Sequence, residues 1–504
     1  MNFEHNKSLS QIPDSPIADF VPLRSIVTDV SGEIASGAAQ SWIFECNTTH
    51  KHCHYEDNPL LPSRILDIGL DQSSSTVKLK VTDKTRKERG PYSALSYCWG
   101  GPQPITTTRS SIDTLESGLA IATLPQTIKD AIEVTRWFGF RFLWIDSLCI
   151  IQDDIADKQS EIQNMGQIYK HATITIAASA SSTVTQGFLY PRAISSCEFQ
   201  LSLPDGRSGW ISVSNFKLIS LENHPLNRRG WTFQEHMLSP RLLQFGELEL
   251  VWTCQTDPIK TITSSDDMRM YQKTQRLPSQ IFGIHGRKSW TTRHQRIDLW
   301  QQMVTPYSNR KLTYSDDRLN ALAGIANELK LLWKDDYFYG SWKDCMIDLL
   351  AWHVVGDDKQ HQRVSIAPSW SWACIDCPIR FTRLARQSAI FRKTSDLAGS
   401  GPGSIFLSCK MLREEDILSS HSLVISKFQD LNNDECQNVD KSQKKQVHYL
   451  LLGESKAKRY MRDCGLIVVN FGQRSFKRIG LFEIFGEECK AAWDIAKYQD
   501  VTLI

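Results

Sequence analysis

The segment from Tyr92 to Ala180 most constrains the fold of this chain, because short apolar runs of strand length alternate there with stretches of helical periodicity. Its central run, Phe142 to Ile145, is rich in aromatic residues and is followed at once by a carboxylate. The pattern predicts strands and helices in turn, at residues 94–99, 125–138, 141–145, 156–170 and 173–178. A β-α-β-α-β order favours a parallel sheet whose crossover helices cover its faces, so an α/β domain is predicted.

Polar and aromatic side chains lie at the ends of two of the predicted strands. Cys98, Trp99 and Gly100 lie at the end of the first strand, and Asp146 and Cys149 come after the second. In parallel sheets, ligands and catalysis gather at the carboxyl ends of the strands, so these residues are candidates for a site. Asp146 has an alternative role as the cap of the turn that follows it. Cys149 has no histidine with a clear base role and is predicted to be a core thiol.

Glu161 is the candidate catalytic carboxylate on the next helix. It lies directly before Ile162 and one helical turn before Met165, which belong to the apolar stripe of that helix. A carboxylate beside such a stripe is partly buried, and burial disfavours its charged form unless it finds a donor. This environment suits a general acid or base, but a buried glutamate that pairs with an arginine is the more common outcome.

A third cluster places Arg229, Trp231, Gln234 and Glu235 within one short stretch of the sequence. The guanidinium of Arg229 suits bidentate binding of a phosphate or a carboxylate. It equally suits a structural ion pair with Glu161 or Glu235. The structural pair is the favoured interpretation.

Residues 46–54 hold two cysteines and three histidines, among them Cys46, His50 and Cys53. Thiolate and imidazole are the ligands that Zn²⁺ prefers, so these three residues are candidate metal ligands. No second cysteine or histidine pair follows at the spacing of a zinc finger, so the sequence favours a packed turn with partly exposed histidines. No cofactor is therefore predicted, and zinc stays the alternative.

The charge balance is nearly neutral, with 58 Lys and Arg residues against 56 Asp and Glu residues. No broad electrostatic surface for nucleic acid or an anionic membrane is therefore predicted. The polar N-terminal residues lack the apolar core of a secretory signal, and no window approaches the roughly 18 apolar residues of a membrane span. The 13 cysteines, an odd number, are typical of reduced intracellular thiols. A cytoplasmic location is predicted, with the nucleus as the alternative.

A chain of 504 residues exceeds what one hydrophobic core usually supports, and three regions are predicted. Residues 1–88 form a mobile arm, to about residue 40, and a hairpin near residues 61–81. Residues 89–255 form the α/β domain, and residues 256–504 form an α+β extension without a chemical constellation. The extension is predicted to hold helices at 314–333 and from Trp342 to His353, strands near 404–408, 449–452, 466–469 and 479–484, and exposed loops at 397–404 and 429–445.

Three blocks of the α/β segment resemble the fungal heterokaryon incompatibility (HET) domain in order and spacing. They are Tyr92 to Gly100, Leu143 to Gln152 with Glu161 to Tyr169, and Arg229 to Glu235. The flanks are similar too. Trp42 with the cysteines and histidine at 46–53 resembles the usual lead-in of the domain, and Ala367 to Ala373 resembles part of its common C-terminal extension.

The resemblance implies a role in nonself recognition between fused fungal cells, where such domains trigger growth arrest and programmed cell death. It implies a protein partner or self-association, and a core like the flavodoxin-like sheet of Toll/interleukin-1 receptor (TIR) domains. Some TIR domains hydrolyse NAD with a glutamate on a core helix, and Glu161 would be the equivalent residue. Whether the chain is an enzyme is left open. Its pocket or motif residues would be Trp99, Gly100, Asp146, Arg229, Trp231, Gln234 and Glu235. The sequence lacks a G-x-G-x-x-G phosphate-binding pattern, so NAD would be a substrate and not a resident cofactor.

Overall fold

The computed structural model describes residues 6–11, 27–53, 56, 58–71, 73–82, 87–193, 195–203, 205–216, 223–257, 259–262, 276–283, 292–356, 363–394, 403–418, 424–430, 446–457, 460–472, 474–485 and 487–504. The chain forms two compact units. Unit 1 comprises Met1–Arg287 with Leu322–Ile325, and unit 2 comprises Lys288–Ala321 with Ala326–Ile504. The predicted boundaries near residues 88 and 255 both fall inside unit 1, and the division into three domains stays a prediction.

Unit 1 is built from short strands and helices that alternate through its central part. Its strands are β1 Asn6–Gln11, β2 Arg64–Asp67, β3 Thr76–Val81, β4 Tyr92–Ser96, β5 Leu119–Ala120, β6 Phe142–Trp144, β7 Ile174–Ala177, β8 Ser195–Ser202, β9 Ser208–Phe216, β10 Leu242–Phe245, β11 Leu250–Thr253 and β12 Lys260–Thr261. Its helices are α1 Glu33–Thr48, α2 Ile112–Ser117, α3 Gln126–Trp137, α4 Asp146–Cys149, α5 Ile155–His171 and α6 Thr232–Leu238.

A large mixed sheet lies at the centre of unit 1, in the order β12-β11-β10-β7-β4-β6-β2-β3-β5. The neighbouring strands β6, β4, β7 and β10 are parallel, and Ala94 in β4 lies opposite both Trp144 and Thr175. Helices α3, α5 and α6 connect these four strands in chain order. The predicted β-α-β-α-β order is confirmed, and β2 with β3 forms the predicted hairpin. Strands β1, β9 and β8 form a separate antiparallel sheet.

The parallel strands follow from their mainly apolar sequence. Strands β4 and β7 are buried at every residue, as expected for strands that are covered on both faces. Helix α3 buries Ile128, Ala131 and Ile132 at the predicted helical spacing. It ends shortly before Gly139, whose φ of +68° is the left-handed conformation common after a helix. The apolar periodicity thus placed these elements correctly.

The N-terminal part of unit 1 differs from the mobile arm that the sequence predicted up to about residue 40. Residues 33–40 belong to α1, which buries Ala35, Ala39, Trp42 and Cys46. These positions recur every three or four residues and so lie on one helical face. The stripe begins with two alanines and is interrupted by small polar residues, so it was hidden in the sequence.

Unit 2 is a second region of mixed α and β structure. Its helices are α7 Arg293–Ser308, α8 Asn320–Trp333, α9 Met346–Leu349, α10 Glu414–Leu418 and α11 Glu487–Ile495, and Leu322–Ile325 of α8 cluster with unit 1. Its strands are β13 Tyr337–Phe338, β14 Ser341–Trp342, β15 Trp352–Val354, β16 Ile379–Phe381, β17 Leu384–Gln387, β18 Ile390–Thr394, β19 Ile405–Arg413, β20 Val424–Gln429, β21 Val447–Ala457, β22 Tyr460–Gly472, β23 Ser475–Phe485 and β24 Tyr498–Leu503.

The main sheet of unit 2 has the order β17-β21-β22-β23-β24-β19-β18, with β20 beside β23. The four strands predicted for this half of the chain are confirmed as β19, β21, β22 and β23. Across the residues that the structure describes in either unit, no helix is long and apolar enough to cross a membrane. The chain is therefore a mixed α/β protein with a large mixed sheet and a C-terminal sheet domain.

The helix predicted from Trp342 to His353 is wrong. Trp342 lies in β14 and His353 lies in β15, with the short helix α9 between them. Residues 345–352 are buried throughout, so their apolar pattern carries no periodicity that would separate a helix from a strand. The predicted loops at 397–404 and 429–445 lie almost wholly outside the described residues.

Candidate functional site

The carboxyl ends of β4 and β6 bring Trp99 and Asp146 together, as the parallel order predicts. The indole N–H of Trp99 donates to Oδ2 of Asp146 at 2.9 Å. Oδ1 of Asp146 accepts from the backbone N–H of Ser147 at 2.6 Å, at the start of α4. Asp146 is the first residue of α4, whose N-cap position is Ile145, so its carboxylate supports the first turn from within the helix and contacts Trp99 at the carboxyl ends of the strands.

Arg229 reaches the same edge from the segment that precedes α6. Its Nη1 donates to the carbonyl oxygen of Tyr97 at 2.6 Å. Burial raises the pKa of Asp146, and the charge of Arg229 and the hydrogen bond from Trp99 oppose that rise. Arg229 is therefore the cation that favours a negative charge at this edge.

Glu235 lies on α6 and is buried. Its Oε2 accepts from the hydroxyl of Ser96 at 2.5 Å, and Nε2 of His236 lies 3.2 Å from the same hydroxyl. Burial raises the pKa of Glu235 to about 7, against the opposing effects of the Ser96 hydrogen bond and the charge of Arg229. A carboxyl group that titrates near neutral pH suits proton transfer.

We call Ser96, Trp99, Asp146, Arg229 and Glu235 the edge site. Trp99, Asp146 and Arg229 are partly exposed, whereas Ser96 and Glu235 are buried. A partly exposed indole ring and a guanidinium suit a planar anionic ligand such as a nucleotide, through stacking and phosphate binding. The edge site therefore combines groups for ligand binding with carboxyl groups of raised pKa.

Gly100 shapes the turn that presents Trp99. Its φ of +71° is left-handed, a conformation that favours glycine. A Cβ at this position would also lie 2.5 Å from Cγ2 of Thr183, which is far inside van der Waals contact. Both the conformation and the close approach therefore require glycine in this part of the motif.

Trp231 and Gln234, the other predicted motif residues, have packing contacts. Trp231 is partly exposed and lies against the hydrophobic core of unit 1. Gln234 is buried, and its Oε1 accepts from the backbone N–H of Gly324, one of the α8 residues in unit 1, at 3.1 Å. These contacts explain why the motif carries an aromatic residue and an amide at these positions.

Glu161, the candidate catalytic residue, is buried on α5 in a different set of contacts. It accepts a hydrogen bond from Ser63, and its Oε1 lies 3.8 Å from Nη2 of Arg64. The same Nη2 lies 2.6 Å from Oδ2 of Asp157. We call these four residues the paired cluster. The structure thus gives Glu161 an arginine partner, which is Arg64 and not Arg229, and a catalytic role for Glu161 stays a prediction.

The cysteines and the histidine predicted as candidate metal ligands lie apart from both the edge site and the paired cluster. Cys46, His50 and Cys53 meet Cys254, and the four potential ligand atoms all lie within 4.8 Å of one another. We call these four residues the thiol cluster. Cys254 directly follows β11 and lies 204 positions after His50. The sequence did not reveal this fourth ligand, because no local spacing connects it to the other three.

The sequence interpretation missed Ser96, a member of the edge site, and its neighbour His236. Ser96 was part of a predicted strand, yet its hydroxyl contacts both Glu235 and His236, which lie about 140 positions later in the chain. Ser96 is the last residue of β4. Its position at the carboxyl end of a parallel strand is the signal by which it could have been found.

The fold and the edge site define a class of protein: an α/β domain in which an indole, a guanidinium and two carboxyl groups meet at the carboxyl ends of parallel strands. Residues 92–235 match the family model described as Heterokaryon incompatibility protein (HET). The matched range begins at the first residue of β4, ends at Glu235 and contains the whole edge site. The resemblance of the three sequence blocks is therefore confirmed. No curated protein and no solved structure matched the chain.

Proposed function

We propose that this chain acts in heterokaryon incompatibility as a nonself-recognition signalling protein of the fungal cytoplasm, whose HET domain triggers growth arrest or programmed cell death. The match of residues 92–235 to the HET family carries this proposal. The signal passes through a protein partner or through self-association. Unit 2, in which Ala367 to Ala373 resembles part of the common C-terminal extension of such proteins, acts as a sensor or scaffold.

The order of the parallel strands supports a TIR-like core for the signalling domain. Counted along the chain, the four strands are arranged second, first, third and fourth, as β6, β4, β7 and β10. This is the beginning of the flavodoxin-like order, in which ligands bind where the first and third strands diverge. Ser96 and Trp99 lie at that position, at and after the end of β4. The edge site is thus where this fold would engage a ligand.

Controlled expression of the full chain in fungal cells tests the signalling proposal. High expression favours self-association by mass action, so the wild-type chain is expected to arrest growth and lower viability. Arg229→Ala, in the edge site, is expected to accumulate without this effect. Arg141→Ala is the matched control, because that arginine is half exposed and pairs with Asp67. Normal growth of cells that accumulate the wild-type chain would overturn the proposal.

A second proposal, favoured by the contents of the edge site, is a TIR-like NAD hydrolase. Hydrolysis breaks the bond between ribose C1′ and nicotinamide, and water supplies the hydroxyl of the ADP-ribose product. The ring of Trp99 suits stacking on a base or on nicotinamide, and Arg229 suits the pyrophosphate. The resemblance to TIR domains points to Glu161 as the catalytic carboxylate, whereas the raised pKa of Glu235 favours that residue instead.

An NAD-consumption assay on the purified, concentrated full chain separates these possibilities. Loss of turnover in Glu161→Gln with turnover kept in Glu235→Gln would place the catalytic carboxylate in the paired cluster. The reverse result would place it in the edge site. Glu133→Gln, an exposed position on α3, is the control for loss of one acidic group. Absence of turnover in the wild-type chain, or equal turnover in all variants, would contradict NAD hydrolysis.

A further inference from the structure

We propose that Cys46, His50, Cys53 and Cys254 bind one structural Zn²⁺ ion. The four potential ligand atoms lie within 4.8 Å of one another in unit 1, although the chain separates Cys254 from the other three by about 200 residues. Three thiolates and one imidazole are a ligand set that Zn²⁺ prefers and that Ca²⁺ and Mg²⁺ do not. The site lies outside the residues 92–235 that match the HET family.

The distances within the thiol cluster fit a tetrahedral ion. Sγ of Cys53 lies 3.6 Å from Nδ1 of His50, and Sγ of Cys254 lies 3.5 Å from the same nitrogen. With Zn–S near 2.3 Å and Zn–N near 2.0 Å, two tetrahedral ligands of these types lie about 3.5 Å apart. The separation between Nδ1 of His50 and the sulfurs of Cys53 and Cys254 is therefore the one expected for ligands that share a single zinc ion.

The imidazole of His50 is oriented as a zinc ligand requires. While Nδ1 faces the sulfurs, Nε2 lies 3.3 Å from Oδ2 of Asp257 and 3.8 Å from Oε1 of Glu45. Lys260 in turn donates to Oε2 of Glu45 at 2.6 Å. A metal-bound histidine commonly donates its other N–H to a carboxylate, which fixes the tautomer that ligates. Asp257 and Glu45 supply that second layer of contacts.

A backbone donor and two cations interact with the sulfurs. The backbone N–H of Asp257 donates to Sγ of Cys254 at 3.1 Å. Arg241 interacts electrostatically with Cys46, and Arg276 does so with Cys53 and Cys254. Three thiolates and one Zn²⁺ carry a net charge of −1, which two neighbouring guanidinium groups offset in a partly buried place.

The position of the thiol cluster indicates a structural role for the ion. Cys46 lies in α1, His50 and Cys53 follow that helix, and Cys254 follows β11 in the sheet. Four protein ligands leave no open coordination position, as in structural rather than catalytic zinc sites. The ion would tie α1 to the end of β11 and close a long loop of chain, which stabilises the folded state.

Metal analysis of the tag-free full chain, purified without chelator and with Zn²⁺ present during expression, tests the proposal. About one zinc per chain is expected. Replacement with Co²⁺ is expected to give the intense visible bands of a tetrahedral, thiolate-bound ion, which report coordination independently of activity. A chelator that removes the ion is expected to lower the melting temperature.

Single substitutions identify the ligands. Cys254→Ser and Cys53→Ser are expected to lower the zinc content at least tenfold, whereas Cys197→Ser, at an exposed position in β8, keeps it. If the ligand variants do not fold, the Co²⁺ spectrum of the wild-type chain still decides the matter. Folded wild-type protein with well under one zinc per chain, a disulfide between these cysteines, or full zinc in Cys254→Ser would each overturn the assignment.

Discussion

Two regions of unit 1 each bury a glutamate to a similar degree, but the groups that contact the two carboxylates differ in charge. Glu161 on α5 and Glu235 on α6 are 4% and 7% exposed. In the paired cluster, the guanidinium of Arg64 lies 3.8 Å from Glu161 and 2.6 Å from Asp157. In the edge site, Glu235 accepts a hydrogen bond from the neutral hydroxyl of Ser96, and burial raises the pKa of Glu235 to about 7.

The difference lies in what replaces the water that each carboxylate loses. A guanidinium that contacts two carboxylates offsets the desolvation of both, so the paired cluster is an arrangement for stability. A hydroxyl offsets little of that cost, and the charge of Arg229 only partly compensates at Glu235. A buried carboxyl group whose pKa is raised and whose charge interacts with that of Asp146 makes the edge site the candidate functional site of unit 1.

Among the substitutions that test this contrast, Arg64→Met is expected to change the free energy of unfolding most. The change leaves the buried Glu161 and the partly buried Asp157 without their cation, which typically costs about 3–5 kcal/mol in the free energy of unfolding for a buried pair. Urea unfolding at pH 7.5, followed by circular dichroism, measures the loss. Arg141→Met is the control, because its pair with Asp67 is half exposed and is expected to contribute less than about 1 kcal/mol. Equal losses in the two variants would remove the distinction between a buried and a surface pair.

The sequence predicted the central fold of unit 1 because parallel strands carry a strong local signal. Strands β4, β6 and β7 are short and mainly apolar, and the helices between them have one clear apolar stripe. The same reasoning missed α1, whose buried face starts with Ala35 and Ala39, and it failed from Trp342 to His353. The apolar stripe of α1 contrasts weakly with the residues beside it, and nearly every residue from Trp342 to His353 is buried. The hydrophobic pattern of neither segment therefore distinguishes a helix from other structure.

Within the sites, the sequence predicted a contact between side chains only where the order of parallel strands by itself brings the two residues together. Trp99 and Asp146 follow adjacent parallel strands, so their contact at 2.9 Å was foreseeable. The partner of Glu161 was not, because Arg64 lies in an antiparallel strand that an N-terminal hairpin adds to the sheet. Cys254 joins the thiol cluster for a similar reason. Contacts that depend on how an added strand or helix docks have no signature in one sequence.

The second largest expected effect is the pH dependence of the stability that Glu235 contributes in the edge site. Because the pKa of Glu235 is raised from 4.5 to about 7, its contribution to stability is fully present below pH 4.5 and is lost as the pH rises through about 7. Glu235→Gln keeps a neutral side chain and avoids that loss. Relative to wild type, the variant is expected to gain about 2.5 kcal/mol in the free energy of unfolding between pH 5 and pH 8.

Urea unfolding of both proteins across this pH range measures that gain. Glu133→Gln controls for the removal of one acidic group from an exposed position of unit 1. A difference between Glu235→Gln and wild type that stays constant from pH 5 to pH 8 would mean that Glu235 is as well compensated as a paired carboxylate. The contrast between the two regions would then fail.

The smallest effect compares the two hydroxyl groups that donate to the buried glutamates, Ser63 to Glu161 and Ser96 to Glu235. Ser63→Ala is expected to cost about 1 kcal/mol or less, because Arg64 still faces its carboxylate. Ser96→Ala removes a donor that lowers the pKa of Glu235, so its cost is expected to be larger at pH 8 than at pH 5, by about 1 kcal/mol. The same unfolding measurements at the two pH values decide the matter. A cost of Ser96→Ala that is equal at both pH values would show that Ser96 does not stabilise the ionised carboxylate, and the raised pKa of Glu235 would need another explanation.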